Sequence, residues 1–283
     1  MNFVVHFLFY RMKKFSLENT IKKEVKVMRK KIMIVFLLFI SFHTTAIIHA
    51  EEGESKKALA IVIDDFGNNM KGTKDMLNLP VPITAAIMPF LPTSKEDAVY
   101  AHKKGHEVIV HLPLEPKKGK KSWLGPGAIT TDLSDKEIRK RTKAAIESIP
   151  FAVGMNHHMG SKATADERVM RIILEECLKH NLFYLDSKTT GNSVVKKLAE
   201  EMHVPYLEND LFFDHIYSNQ HIMKQANKVA NELDDQETLI AIGHVGVSGP
   251  MVVNVLKEYI PVFQQEADIV PLSKLVNGYE LIK

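Results

Sequence analysis

From residue 58 onward the chain alternates short apolar runs with amphipathic stretches. The runs are Ala58–Ile63, Ile83–Met88, Glu107–Leu112, Phe151–Met155, Phe183–Leu185, Pro205–Leu207 and Thr238–Ile242. Runs this short and this uniformly apolar suit strands covered on both faces, as in a parallel sheet. Between them, Ser134-Asp-Lys-Glu137 has the spacing of a capping box and predicts a helix to about Ser148. Thr164-Ala-Asp-Glu167 predicts another, to about His180. Ser218–Leu233 and Pro250–Tyr259 also read as helices. Seven such alternations with no long linker predict one α/β barrel over residues 58–283 rather than two domains. The main irregular stretch, Pro113–Thr131, is rich in Gly, Pro and Lys and long enough to form a functional loop over a site.

Residues 1–50 follow a different pattern. Arg29-Lys30-Lys31 precede the uninterrupted apolar run Ile32–Ile40, and Ala50 stands before a polar linker at 51–57. This is the layout of a secretory signal peptide. The run is short of the roughly 20 residues that span a bilayer, so cleavage is favoured over an uncleaved anchor. Either outcome puts the domain outside the cytoplasm, secreted or anchored, touching a membrane only through this segment. The stretch 1–27 is long for the basic region of a leader, so translation is expected to start at Met28.

Charge changes the picture once the leader is set aside. The chain has 37 Lys/Arg and 34 Asp/Glu; nine and two of these fall in residues 1–50, so residues 51–283 keep 28 and 32, a net of −4. Nucleic-acid binding calls for a basic body, and that function class is set aside. The one cysteine, Cys177, rules out an intramolecular disulfide and a Cys-x-x-Cys metal site. A metal would have to be held by His, Asp and Glu.

Enzyme sites on parallel α/β barrels collect at the C-terminal strand ends. Nearly every predicted strand delivers a carboxylate or imidazole there: Asp64-Asp65, His111 with Glu115, His157-His158, Asp186, Asp210 with Asp214, and His244. Each has an ordinary structural alternative, such as a helix cap or a hydrogen-bonded strand-end histidine. Together they would leave many charges facing one another unless a metal or substrate used them. Adjacent carboxylates on an extended strand point opposite ways, so one of the Asp64-Asp65 pair could bind a metal while the other accepts a proton. For the same reason only one of His157 and His158 can face the site. The amides around Gly160 could contact an oxyanion. Between flanking glycines, His244 suits a general acid, and Asp186 could orient a catalytic group or cap a helix. Trp123, in the lysine-rich loop, could stack on a sugar ring or pack on the barrel.

A strand ending in Asp-Asp, followed by one ending in His before a Pro, resembles the polysaccharide deacetylases with a NodB-like domain. The segments IVIDDFG (61–67), HLPLEP (111–116), NHHMGS (156–161), LDSKT (185–189) and IGH (242–244) resemble more closely the divergent, YibQ-like polysaccharide deacetylase family, over about Ala58–Val276. The resemblance implies a deformed (β/α)7 barrel that hydrolyses amide bonds, removing acyl groups, N-acetyl in particular, from a cell-wall or envelope polysaccharide. It implies Asp64 as catalytic base, Asp65 and His111 as metal ligands and His244 as proton donor, with Asp186 as a further catalytic candidate. Where that superfamily has a second histidine four residues after the first, this chain has Glu115. The resemblance then gives His158 as third ligand, with Glu115 and His157 as alternative or supporting groups; from their positions in the sequence, Trp123 and Asp210 are the candidates near substrate. The implied cofactor is a divalent ion, zinc by ligand type. The competing readings are a degenerate glycan-binding barrel, a metal-dependent hydrolase of another envelope amide, and a scaffold in an exported complex.

Overall fold

In the computed structural model the chain falls into two units, residues 1–55 and 56–283. The structure describes residues 23–26, 28–30 and 57–276. Of the first unit, residues 23–26 and 28–30 are helical and exposed. The apolar leader and residues 51–56 of the linker lie outside the described residues, as does 277–283 at the end of the barrel domain. Among the described residues no helix is long and apolar enough to cross a membrane.

The second unit is built on parallel strands: β1 (Lys57–Phe66), β2 (Thr84–Ile87), β3 (Glu107–Leu114), β4 (Ala152–Met159), β5 (Phe183–Asp186), β6 (Tyr206–Glu208), β7 (Leu211–Phe212), β8 (Thr238–His244) and β9 (Ala267–Ile269). Their order is β6-β5-β4-β3-β2-β1-β8-β7, with β9 beside the first residues of β1. Segment 206–213 closes the ring by changing partners midway. β6 pairs with β5, and the Asn209 amide donates to the Asp186 carbonyl. The Asp210 and Phe213 amides then donate to the Ile240 and Ile242 carbonyls, where β7 pairs with β8. With β6 and β7 counted as one broken strand, this is a deformed (β/α)7 barrel.

The helices are α1 (Thr73–Met76), α2 (Ser94–Lys103), α3 (Asp135–Ser148), α4 (Glu167–Lys179), α5 (Val195–Met202), α6 (Asn219–Glu232) and α7 (Gly249–Glu266). Ser134 and Ser218 cap α3 and α6, accepting from the Glu137 and His221 amides. The cap expected at Thr164 lies two residues later. Asp166 accepts from the Val169 amide, while the Thr164 hydroxyl donates to the Gly160 carbonyl. α7 also passes its expected end at Tyr259 and continues through Pro261, because Ile260 and Phe263 bury their side chains. α2 escaped prediction because it buries Ser94, Asp97, Ala98 and Ala101, which leave no apolar stripe to read.

Two hydrophobic clusters divide the core. The larger joins outward strand residues such as Leu59, Ile61, Ile63, Val108 and Val110 to the helices. The smaller contains no α-helix residue and fills the ring with Ala60, Val62, Ala86, Ile109, Phe183, Leu185, Ile240 and Ile242, joined by Leu272 and Val276 from the end of the described chain. Because strand side chains alternate, the next inward positions beyond this plug are Asp64, His111 and His244. On β4 the register slips at the start, with Val108 opposite Ala152 and Ile109 opposite Gly154. The extra residue, Val153, resets the alternation so that Gly154, Asn156 and His158 face inward.

Gly154 is the tightest point of that arrangement. A Cβ there would lie 2.4 Å from two ring carbons of Phe183. Gly154→Ala is expected to destabilise the protein by about 1–3 kcal/mol through overpacking. Equilibrium urea unfolding checks this, and an unchanged midpoint would mean that Phe183 can move aside.

Candidate metal centre

The centre starts from an irregularity in β1. Ile63 pairs with Ala85 and Phe66 with Ile87, so Asp64 and Asp65 together oppose Ala86. This one-residue bulge holds Asp65 at φ 71°, in the left-handed region, which aspartate visits more readily than most residues. Bulges re-aim side chains, and this one corrects the expectation that the two carboxylates diverge. Both reach His111: Asp64 Oδ1 lies 3.7 Å from its Nδ1, and Asp65 Oδ1 lies 3.2 Å from its Nε2.

His158 completes the group. Its Nδ1 is 2.9 Å from Asp65 Oδ1. Candidate ligand atoms of Asp65, His111 and His158 all lie within 4.8 Å of one another. The remote nitrogen of each imidazole is engaged. His111 Nδ1 is 2.6 Å from Asn156 Oδ1, and His158 Nε2 is 3.1 Å from the Trp123 carbonyl. An acceptor at the far nitrogen fixes the tautomer that leaves a lone pair on the near one, the usual support of a ligating histidine. Asp65 Oδ1 and His111 Nε2 are buried with no hydrogen-bond partner, despite their closeness. Buried polar atoms are seldom left unpaired. Two of them converging with a third donor is the arrangement a cation would satisfy, so the residue set fits a metal ion.

Around this centre the charges are strongly biased. Burial would raise the Asp65 carboxyl, but His111 and His158 hold it well below its ordinary range. Asp64 is raised, because burial outweighs the nearby His111 and His244 and the Asn156 amide that donates to its Oδ1 at 2.8 Å. His244 lies opposite Asp64 in the β1–β8 register. Its Nδ1 is 2.8 Å from Asp214 Oδ1, and its backbone amide donates to Asp214 Oδ2 at 3.0 Å. The Ser248 hydroxyl donates to the same Oδ2. Burial alone would depress His244, but Asp214, with Asp65 and Asp64 nearby, pushes it up to about 9.

Several expected site residues lie elsewhere. Asp186 sits with Tyr184 and His157 outside the ring. Its carboxylate accepts from the Lys188 amide and the Ser193 hydroxyl, 3.9 Å from His157 Nε2. The carboxylate that orients His244 is therefore Asp214. His157, 3.1 Å from the Tyr184 hydroxyl, is pushed down to about 4, chiefly by burial, with His111 and His158 adding to it. Glu115 accepts from the Thr131 amide and hydroxyl and from Lys162, so it pins the loop and leaves the centre to His158. Asp210 accepts from the Ile240 amide at the β6–β7 break, well below the mouth. The Gly160 amide, an expected oxyanion donor, is used by the Leu114 carbonyl. Trp123 remains at the mouth, 58% exposed.

Asn156 was given no role of its own, and Asp214 stood among the strand-end carboxylates without being matched to His244. Asn156 shares the alternation of His158 and could have been found once β4 was extended past Met155. Asp214 lies on a loop 30 residues before His244, and no local pattern joins the two.

Comparison with known proteins gives the family and the fold. A family model described as divergent polysaccharide deacetylase matches residues 61–276. The uncharacterized protein YibQ of Escherichia coli K12 is 33% identical over 219 residues, 77% of this chain and 67% of the relative. An uncharacterized Haemophilus influenzae protein is 30% identical over 244 residues, 86% of this chain and 85% of its own length. The crystal structure of ATU2773, an uncharacterized protein from Agrobacterium tumefaciens C58, has the same fold: TM-score 0.72 at 19% identity, over 80% of this chain and 91% of that one.

The His244–Asp214 pair sets a pH signature. A histidine raised from an ordinary 6.5 to about 9 adds stability that is full below about pH 6.5 and lost as pH rises through about 9. In chelator-treated protein, the unfolding free energy of wild type minus that of Asp214→Asn should shrink steadily across this window. A difference that stays flat from about pH 6 to 9.5 would contradict the assignment.

Proposed function

The chain belongs to the divergent polysaccharide deacetylase family, and from that premise we propose that it is an exported, metal-dependent hydrolase that removes acyl groups, N-acetyl in the first instance, from a cell-envelope polysaccharide. One observation carries the reading. Three donor atoms, from Asp65, His111 and His158, converge at the mouth of the barrel, and two of them are buried without a partner. Export rests on the basic-then-apolar order of residues 29–50.

A ligand set of two imidazoles and one carboxylate suits zinc and leaves a coordination position open. Such an ion supplies Lewis-acid polarisation of the acyl carbonyl and acidifies water. The remaining work falls to the chain. Asp64 has a burial-raised carboxyl, steadied by the Asn156 amide. It takes a proton from water as the water oxygen adds to the acyl carbon, because a base works best with a pKa lifted toward the working pH. His244 carries its proton at neutral pH and is held through Nδ1 by Asp214. Its Nε2–H is the one that can be given to the departing amine nitrogen. A proton is thus removed on the β1 side and delivered on the β8 side, from neighbouring strands that pair at Asp64 and His244.

Elemental analysis and turnover of an acetylated glycan separate these roles. His111→Ala and His158→Ala are expected to lose the divalent ion. Asp64→Asn is expected to retain it and lose turnover by about 10²–10⁴-fold. Full metal retention by His158→Ala would remove it from the ligand set. Undiminished hydrolysis by metal-stripped wild type would end the metal-dependent reading.

A further inference from the structure

The loop between β3 and α3 holds a charge cluster that the reaction leaves unused. Residues 117–121 read Lys-Lys-Gly-Lys-Lys. Lys117, Lys118 and Lys120 are exposed. Two other lysines near this rim are paired: Lys162 with Glu115 and Lys188 with Glu208, each at 2.8 Å. The three loop lysines are in no ion pair with a described residue. Lys117 reaches only the Thr190 hydroxyl, at 3.3 Å, and the Lys120 ammonium lies 5.7 Å from the centre of the Trp123 ring. Three free cations on one strap, on a body of net charge −4, focus negative ligands onto that strap and away from the rest of the surface.

The strap also leads directly to the candidate metal centre. Its base is fixed where the Ile129 amide donates to the Pro113 carbonyl, the Glu115 amide donates to the Ile129 carbonyl, and Arg141 donates to the Ala128 carbonyl. The backbone carbonyl of Trp123 lies 3.1 Å from His158 Nε2, so the residue that carries the strap's exposed indole is anchored on a candidate ligand. A chain of sugars delivering an acyl group to Asp65, His111 and His158 would pass Trp123 and the lysines together.

We propose that the polysaccharide this site accepts is anionic, with Lys117, Lys118 and Lys120 holding its acidic groups and Trp123 stacking on a sugar ring. A ring face on an aromatic side chain with cations beside it is a chemistry that neutral glycans use only in part. The inference takes the glycan from the hydrolase reading, but its test needs no turnover, so the two can fail separately.

Trp123 is the chain's one tryptophan, and its emission reports on this strap alone. Titrating the full-length protein with a hyaluronan hexasaccharide and with chitohexaose compares two N-acetylated glycans of equal length, of which only the first bears carboxylates. Hyaluronan should bind about tenfold more tightly at low salt, from three exposed charge contacts of modest strength each, and the gain should fall as salt is added. The triple variant Lys117→Glu, Lys118→Glu, Lys120→Glu should lose that gain. Lys140→Glu with Lys143→Glu, the same kind of reversal on exposed α3, should keep it. Circular dichroism confirms that each variant folds. Equal affinity for the two glycans, or an equal loss in the α3 variant, would overturn the proposal. So would equally tight binding of a single-stranded oligonucleotide of matched charge, which would make the strap a general polyanion binder.

Discussion

The alternation of side chains along the strands of a closed ring governs everything at this barrel's mouth. Inside the ring, every second residue is apolar until the plug of Val62, Ile109, Leu185 and Ile242 is complete. Only the next residue of the same parity can look into the mouth. Asp64, His111 and His244 occupy that level without special provision. Asp65 and His158 do not, and each depends on an extra residue that resets the count: the bulge at Asp64-Asp65 in β1 and the slip at Val153 in β4. With either strand regular, a donor atom would turn toward the helices and the three-atom cluster could not form. The strained backbone at Asp65 is the local cost of bringing two adjacent carboxylates to one histidine.

That proximity also divides the two carboxylates chemically. Asp64 is buried and Asp65 half-buried, and burial raises each, yet Asp65 lies between two imidazoles and ends well below its ordinary range while Asp64 ends above it. Neighbouring acids pushed apart in this way acquire different roles, one staying ionised and the other able to hold a proton. Asn156 links the two halves, donating to Asp64 while its oxygen lies 2.6 Å from His111 Nδ1. A single amide thereby orients one group that would bind a cation and one that would accept a proton. On the far side, Asp214 acts on His244 in the opposite sense, keeping an imidazole charged where burial would discharge it.

The fold was legible in the sequence because a parallel barrel announces itself by apolar runs, and seven runs lay at strand-like spacing. Strand ends were not, because β1, β4 and β8 continue through polar residues that a hydrophobic pattern reads as loop. That is where the candidate site lies. Asp65, His111 and His158 could be named from their motifs, but why they meet could not, since a bulge is a property of pairing with a neighbouring strand. Asp186 illustrates the converse. It follows an apolar run like the others, yet it takes the outward parity of Tyr184 and is held by Ser193 and Lys188. Asp214 could be named as a strand-end carboxylate but not matched to His244, because its position depends on β7 pairing with β8, a two-residue contact invisible to periodicity.

Glu115 shows how a change of residue type can be absorbed by a change of duty. It stands just past the end of β3, where the sequence resemblance leads one to expect a second histidine, and its carboxylate is taken up by Thr131 and Lys162. A carboxylate so engaged has little left to offer a cation. What it offers instead is a rigid base for the strap, backed by the pairing of Leu114 with Ile129. Fixing the base puts the Trp123 carbonyl against His158, the imidazole whose Nδ1 lies 2.9 Å from Asp65 Oδ1. The same pairing cancels the charge of Lys162 against Glu115, so the strap's uncompensated charge resides at its tip. Position 115 therefore bears on both the placing of His158 and the charge at the mouth, although it touches none of Asp65, His111 and His158.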